Sequence, residues 1–285
     1  MAERPQRRSP QALLGRVQRT ERITPHLIRV VLGGPGLAGF TAGEYTDHYI
    51  KLLFPPAGVT YPEPFDIQRI RAELPRDQWP RMRTYTVRNW DAEAGELTID
   101  VIYHGAEGLA GPWAANARPG DEIRFIGPGG AYAPDPAADW HLLAGDESAL
   151  PAIAAALEEL PPGAPAHVFI EIGDPGEEQE LHTPGDASIT WLPRDGAPVG
   201  KELVRAVTDL DFPAGTVHAF VHGEAGFVKD LRRLLRVDRG VPRERLSISG
   251  YWRLGHDEDG WQASKQEWNQ QVEREQEPGT PEQPS

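Results

Sequence analysis

Four consecutive residues combine a cation, an aromatic ring and two hydroxyl groups, in the order Arg83, Thr84, Tyr85 and Thr86. If they form a strand, Arg83 and Tyr85 point to one face and the two threonines to the other. The arginine fork suits a phosphate, and the tyrosine ring offers a flat face to an aromatic group. The pattern is typical of a site for a planar, phosphate-bearing cofactor, but an ordinary exposed strand also favours these residue types.

Two further motifs follow that strand, an Asp-x-x-x-His-Gly segment and a glycine- and alanine-rich segment that ends near a tryptophan. In this order the three motifs resemble the flavin-binding motifs of the siderophore-interacting proteins, a branch of the ferredoxin-reductase-like flavoproteins. The resemblance runs over about residues 12–255. The matched positions are Arg83, Tyr85, Thr86, Asp100, His104, Gly105, Gly108, Ala110, Trp113 and Ala114.

Two positions in the third motif depart from the family pattern. Leu109 stands where the family has proline, and Gly111 stands where it has serine. The loss of the serine hydroxyl removes one phosphate donor, so a backbone amide would have to take its place. His104 taken alone is also typical of a hydrogen-bonded turn histidine.

A second match lies between a predicted strand and a predicted helix, at Gly145, Asp146, Glu147 and Ser148. It resembles the Gly-Asp-Glu-Thr-Ala-Leu-Pro turn of the same family, which faces the nicotinamide and the flavin. The amides of a helix N-terminus favour an anion. From the residue types alone, capping of the following helix by the three polar residues explains the segment better.

The segment that contains Tyr251, Trp252 and Arg253 resembles the family's Tyr-Trp-(Arg/Lys)-x-Gly signature. The resemblance implies that an aromatic residue shields the flavin and that Arg253 attracts an anionic iron chelate. Aromatic packing between domains, with a solvated arginine, explains the same residues equally well. Lys51 matches a family lysine and is a second candidate for attracting the chelate.

We predict no catalytic residue, because the sequence shows no convincing triad, and no metal ligand of the protein itself, because the histidines lack metal-ligand spacing. The resemblance implies substrate contacts at Lys51 and Arg253. The residues predicted to bind cofactors are Arg83, Thr84, Tyr85, Thr86, Asp100, Val101, His104, Gly105, Gly108, Ala110, Gly111, Trp113, Gly145, Asp146, Glu147, Ser148, Arg194, Tyr251 and Trp252.

The loop after the second strand of the nucleotide-binding sheet bears on the choice between NADH and NADPH. A ribose 2′-phosphate requires Arg or Lys, whereas a free ribose diol suits an acidic partner. Four acidic residues crowd this loop, and Arg194 is the one cation expected nearby. The acids are Glu171, Asp174, Glu177 and Glu178. Repulsion of the 2′-phosphate therefore favours NADH.

The composition narrows the class of protein. A formal charge of -14 and a pI near 5.1 argue against a general nucleic-acid binder, which needs excess Lys and Arg. The chain has no cysteine, which excludes disulfides and iron–sulfur clusters. We expect a cytoplasmic protein, because the chain shows neither a secretion signal nor the ~20-residue apolar run of a membrane span. We also expect a monomer, but the sequence does not give the oligomeric state.

The pattern of elements predicts an α+β protein with two domains. Short strands with frequent turns predict an antiparallel β-barrel over 11–134. The resemblance implies that this barrel binds flavin. Strands that alternate with helices predict a parallel-sheet domain over 135–255. A tryptophan-containing helical extension and a disordered tail follow over 256–285, and residues 1–10 are predicted to be disordered. Residues 57–81 are expected to form a surface loop.

These inferences converge on an NAD(P)H-dependent ferric-siderophore reductase that contains FAD. Two alternatives remain open. One is a flavin reductase that supplies electrons to a partner protein, and the other is a non-catalytic siderophore-binding protein. The sequence does not identify the siderophore.

Overall fold

The computed structural model describes residues 12–276, so both predicted disordered ends lie outside the described residues. The described chain divides into two compact units. The first contains residues 12–43 and 48–130, and the second contains Glu44–Asp47 and residues 131–276. No helix in this part of the chain is long and apolar enough to cross a membrane.

The first unit is a closed barrel of six antiparallel strands in the order β1-β2-β5-β4-β3-β6. Apolar side chains at every second position fill its interior, and Val30 and Ile99, which pair across β2 and β5, are fully buried. The predicted barrel is confirmed. Its strands are β1 (Leu13–Thr24), β2 (Leu27–Gly33), β3 (Tyr49–Phe54), β4 (Arg81–Asp91), β5 (Glu96–Ile102) and β6 (Glu122–Gly129).

The segment predicted to be a surface loop over 57–81 contains a helix, α1 (Ile67–Glu73). The side chain of Asp66 accepts hydrogen bonds from two amides of its first turn, and Ile67 and Ile70 are buried. The loop prediction was therefore wrong for this part, because a capping residue followed by apolar residues three apart is a helix pattern. A second short helix, α2 (Ala110–Asn116), follows β5.

The second unit is a five-stranded parallel sheet, which confirms the predicted parallel sheet, and its strand order is β11-β10-β7-β8-β9. Its strands are β7 (Trp140–Gly145), β8 (Pro165–Ile172), β9 (Asp186–Pro193), β10 (Val217–Glu224) and β11 (Leu246–Trp252). Its helices are α3 (Leu150–Glu158), α4 (Lys201–Thr208), α5 (Ala225–Arg233) and α6 (Glu258–Gln276). One apolar core lies between the sheet and α3, and a second lies between the sheet and α4 and α5.

The C-terminal extension is confirmed as a helix, and α6 packs on the second unit. Trp261 is almost fully buried and makes an edge contact with Trp268 at 5.4 Å between ring centres. A Cβ atom on Gly250 of β11 would lie 3.0 Å from the Trp261 ring. The absent side chain at 250 therefore lets the tryptophan dock against the edge strand.

Candidate functional site

The hairpin of β3 and β4 places the first cluster of candidate residues. Leu52 pairs with Arg83 and Ile50 pairs with Tyr85, and both aliphatic side chains are fully buried in the barrel. Directly paired residues share a face of the sheet, so Arg83 and Tyr85 lie on this inner face. The predicted alternation of the four residues is confirmed.

Arg83 and Tyr85 are both half-buried. Nη1 of Arg83 donates a hydrogen bond to the carbonyl of Met82 at 2.7 Å, which orients the guanidinium. Tyr85 packs against the barrel core. This packing fixes the position of the Tyr85 ring, which the sequence analysis predicts to contact a flat ligand.

The opposite face of the hairpin is polar. Lys51 pairs with Thr84, and Tyr49 pairs with Thr86, so a proposed substrate contact lies directly beside a proposed cofactor contact. Thr84 is exposed, Thr86 is buried and Lys51 is half-buried. Tyr49 is 36% exposed, and its ring covers Gly129, where a Cβ atom would lie 2.4 Å from the ring.

Asp100 on β5 does not present a solvent-facing carboxylate. Both of its oxygens accept hydrogen bonds at 2.8 Å from Arg29, its partner on β2, and its side chain is almost fully buried. Such a two-point pair neutralises the carboxylate. The next residue, Val101, is part of the barrel core.

The loop after β5 holds the other residues of these motifs. His104 is exposed, and Gly105 and Gly108 have φ angles of 76° and 79°, which favour glycine. A Cβ atom at either glycine would meet no atom within 4 Å, so the space beside this loop is open.

Helix α2 explains the glycine that replaces the family serine. A Cβ atom at Gly111 would lie 3.1 Å from the carbonyl oxygen of Ile102, so the glycine lets α2 approach the end of β5. Ala110 is buried in the barrel core. Trp113 makes an edge contact with Phe54 at 6.0 Å, which ties α2 to β3.

In the second unit the candidate residues lie at the carboxyl ends of the strands. β7 is the central strand, and the order reverses between β7 and β10, where ligands of such sheets bind. Two glycines lie at this point. A Cβ atom on Gly145 would lie 2.6 Å from the carbonyl oxygen of His222, and one on Gly223 would lie 2.7 Å from Asp146.

Asp146 connects the ends of three strands. One of its oxygens accepts hydrogen bonds from the amide of Glu224 at 2.9 Å and from Nε1 of Trp252 at 2.7 Å. The other accepts from the amide and hydroxyl of Ser148. Burial raises the pKa of this carboxyl to about 6. The arrangement agrees with the capping explanation of the segment and fixes the position of Trp252.

Glu147 and Arg194 form an ion pair, and Arg194 also contacts Glu171 at 3.3 Å. Glu171 is fully buried and accepts hydrogen bonds from the amide of Gly200. Burial raises the pKa of the Glu171 carboxyl, although the amide and Arg194 oppose that shift. The cation predicted near the ribose loop is thus held between two carboxylates.

The end of β11 carries the last candidates. Tyr251 is half-buried and makes an edge contact with His222 at 4.9 Å. Trp252 and Arg253 are also half-buried. Aromatic packing within the second unit therefore accounts for Tyr251.

Three residues with structural roles in these clusters were not predicted as site residues: Arg29, Glu171 as a partner of Arg194, and Glu224. Glu224 caps α5 through the amides of Gly226 and Phe227. Its position immediately before a helical pattern was an available signal. The pairing of Arg29 had no local signal, because its partner is 71 residues away.

The fold combines a closed six-stranded barrel with a parallel-sheet unit that carries polar residues at the carboxyl ends of its strands. Residues 16–132 match the family model of the siderophore-interacting FAD-binding domain, and residues 138–255 match that of the siderophore-interacting protein. The chain belongs to the siderophore-interacting protein family, and its first unit is an FAD-binding domain.

The similarity to named relatives extends over most of the chain. The ferric vibriobactin reductase ViuB of Vibrio cholerae is 35% identical, over 85% of this chain and 90% of its own. The NADPH-dependent ferric-chelate reductase of Escherichia coli is 31% identical, over 83% and 91%. The crystal structure of a siderophore utilization protein from T. fusca has a TM-score of 0.75 and 40% identity, over 87% of this chain and 94% of that one.

Proposed function

We propose that this protein is an NAD(P)H-dependent, FAD-containing ferric-siderophore reductase. The observation that carries the proposal is an FAD-binding domain, with Arg83 and Tyr85 on one strand face, in a chain that is 35% identical to a ferric vibriobactin reductase. The ferric-chelate reductase relative points to the same reaction class.

The residues of the first unit fit the diphosphate and ring of FAD. Arg83 supplies a planar set of donors, and the glycine loop has open space beside it. Asp100 would repel a phosphate as a free carboxylate, but Arg29 neutralises it. The donor set is therefore neutral or cationic, as a diphosphate requires.

The bound FAD would supply redox chemistry, since it takes two electrons from a nicotinamide and passes them on singly. The chain's own residues bind and orient the participants. Lys51 carries a positive charge on the outer face of the barrel, beside Thr84, where it attracts an anionic ferric chelate. Hard oxygen ligands prefer Fe(III), so reduction of the iron weakens its hold in the chelate.

We further propose NADH as the preferred donor. Arg194 is engaged by Glu147 and Glu171, so a ribose 2′-phosphate would have to displace a carboxylate to reach it. The E. coli relative is named as NADPH-dependent, so a comparison of NADH with NADPH tests this proposal directly. We expect a higher kcat/KM with NADH than with NADPH, and Glu147→Gln should narrow the difference by removing one competitor for Arg194.

The decisive experiment is steady-state reduction of a ferric siderophore by purified, FAD-loaded protein with NADH and no added partner. We expect two Fe(II) ions for each NADH oxidised, because each iron takes one of two electrons. NADH oxidation without iron reduction would indicate the flavin reductase instead. A purified protein that neither retains FAD nor oxidises NADH would indicate a non-catalytic binding protein.

A further inference from the structure

The side chain of Trp252, the last residue of β11, reaches across the end of the neighbouring strand. Trp252 pairs with Glu224 at the end of β10, and β10 pairs in turn with β7. The indole Nε1 of Trp252 donates a hydrogen bond at 2.7 Å to Asp146, the residue that follows β7. The indole ring therefore lies across the carboxyl end of β10, between the edge strand and the central strand.

This end of β10 is also the place where a sheet of this kind binds its ligand. The chain continues from β7 outward through β8 and β9, and then returns to the other side of β7 to form β10 and β11. The strand order thus reverses between β7 and β10, and the crevice at such a reversal holds the nucleotide. Trp252 is half-buried, so part of the residue remains accessible to a ligand at this edge.

Asp146 can hold the indole because its own carboxylate is fixed from several sides. The side chain is fully buried, and the oxygen that accepts from Trp252 also accepts from the amide of Glu224 at 2.9 Å. The other oxygen accepts from the amide and the hydroxyl of Ser148. A Cβ atom on Gly223 would lie 2.7 Å from the carboxyl carbon, so the glycine lets Asp146 reach β10. A buried carboxylate with four donors is held rigidly.

A second buried carboxylate holds the backbone that follows Trp252. One oxygen of Glu224 accepts a hydrogen bond from the amide of Leu254 at 3.1 Å. Its other oxygen accepts from the amides of Gly226 and Phe227 at the start of α5. The ring and the backbone at the end of β11 are therefore both fixed by residues that follow or end β7 and β10.

We propose that Asp146 is a positioning residue, which holds the indole of Trp252 across the end of β10 as a fixed wall for the nicotinamide dinucleotide. The inference rests on the proposed function, because that function supplies the ligand. The four acceptor directions of the Asp146 carboxylate are taken by donors of the protein itself, so its effect on the cofactor passes through Trp252. A ring that is already fixed loses little conformational freedom when the ligand binds, which favours affinity.

The indole N–H resonance of Trp252 reports this hydrogen bond without any turnover, and its loss in Trp252→Phe assigns it. At about pH 8 the Asp146 carboxyl is ionised, because its pKa is about 6. We expect Asp146→Ala to move the resonance upfield, since a charge-assisted hydrogen bond is lost. Asp146→Asn should give a smaller shift, because its amide oxygen can still face the indole while its NH₂ group donates to the Ser148 hydroxyl.

Binding of tetrahydro-NADH, which cannot donate a hydride, measures the effect on the cofactor. Calorimetry with FAD-loaded protein should give a Kd at least about fivefold weaker in Trp252→Phe and in Asp146→Ala. Asp146→Asn should keep most of the affinity. In steady state the loss should appear in KM for NADH, with kcat changed by less than about twofold.

A double variant separates positioning from a simple loss of ring contact. Once Asp146→Ala has released the ring, adding Trp252→Phe should weaken binding by less than about twofold, so the two losses are not additive. Asp139→Asn is the matched control. Asp139 is exposed, lies at the other end of β7 and accepts a hydrogen bond from the amide of Thr216 at 2.6 Å. Its substitution should change neither the resonance nor the Kd.

Three results would overturn the proposal: an unmoved resonance in Asp146→Ala, an unchanged Kd in Trp252→Phe, or additive losses in the double variant. If circular dichroism shows that Asp146→Ala does not fold, the same comparison is made with Asp146→Asn, whose smaller loss must likewise fail to add to that of Trp252→Phe. Unsubstituted protein that binds no analogue would contradict the proposed function as well. Analogue binding that none of the variants weakens would contradict this inference alone.

Discussion

Arg83 is the residue on which FAD retention should depend most directly. The change Arg83→Ala removes a charge-assisted partner of a phosphate, worth roughly 1.5–3 kcal/mol. We expect FAD to bind the apoprotein about 10- to 100-fold more weakly, measured by fluorescence titration. Arg69→Ala is the control, because Arg69 is an exposed residue of α1 and pairs with Glu73. Equal FAD affinity in both variants would contradict the assigned role of Arg83.

Substitution of Lys51 tests whether its positive charge attracts the anionic ferric chelate. Because it lies on the outer face beside Thr84, Lys51→Ala should raise KM for an anionic ferric chelate and leave reduction of a neutral acceptor unchanged. Lys51→Arg keeps the charge and should restore most of the affinity. A similar loss with both acceptors would show that the lysine has a structural rather than an electrostatic role.

At the scale of elements, the close approach of β7, β10 and α3 depends on a missing side chain. A Cβ atom at Gly145 would lie 2.6 Å from both the carbonyl oxygen of His222 and the Cβ of Ala149. We expect Gly145→Ala to lower the free energy of unfolding of the second unit by about 1–3 kcal/mol, because the packing cannot absorb the extra atom. Urea denaturation measures the change.

The control for this prediction is Gly39→Ala. An added Cβ atom there would meet only the tip of Leu13, at 4.0 Å, which is an ordinary contact. We expect its effect to stay within about 0.5 kcal/mol, as for a substitution away from packed features. A loss in Gly39→Ala as large as that in Gly145→Ala would show that the steric argument is wrong.

For the molecule as a whole, buried histidines should make stability depend on pH. Burial is the main cause that lowers the pKa of His141 to about 4 and that of His222 to about 3. Asp135, near His141, partly opposes the shift, whereas His218 adds to it. Both imidazoles are therefore neutral in the folded state over a range where the unfolded chain binds protons.

The direction of the pH dependence follows from these pKa shifts. The ordinary histidine pKa is about 6.5, so the stabilisation is complete above that pH and is lost as the pH falls toward 4 and then 3. Asp146 acts in the opposite direction, because its pKa is raised to about 6 and protonation relieves the cost of its buried charge. The pKa shifts of the two histidines are together larger than that of Asp146, so acid should destabilise the second unit.

We expect a net loss of about 2 kcal/mol from these three groups between about pH 7 and about pH 5. Hydrogen exchange of the amides of β7 and β10 measures it. His141→Phe keeps a ring of similar size and should remove about 2 kcal/mol of the acid sensitivity. An unchanged pH dependence in this variant would mean that His141 is not a source of the effect.

Local patterns in the sequence were sufficient to predict the fold of each of the two units. Alternating apolar residues with frequent turns predicted the barrel, and strands alternating with helices predicted the parallel sheet, because these periods decide which side chains can be buried together. The shared face of Arg83 and Tyr85 followed from the same alternation. The helix over Ile67–Glu73 was missed although Asp66 offered a capping signal.

Only the tertiary structure decided what the charged groups contact. Asp100 is neutralised by Arg29, Arg194 is held by Glu147 and Glu171, and Trp252 donates to Asp146. These partners lie tens of residues apart, and each pairing depends on strand order and register, which no local pattern specifies. Residue types and periodicity therefore determined the class of protein, whereas long-range pairing determined which polar groups are satisfied by the protein itself.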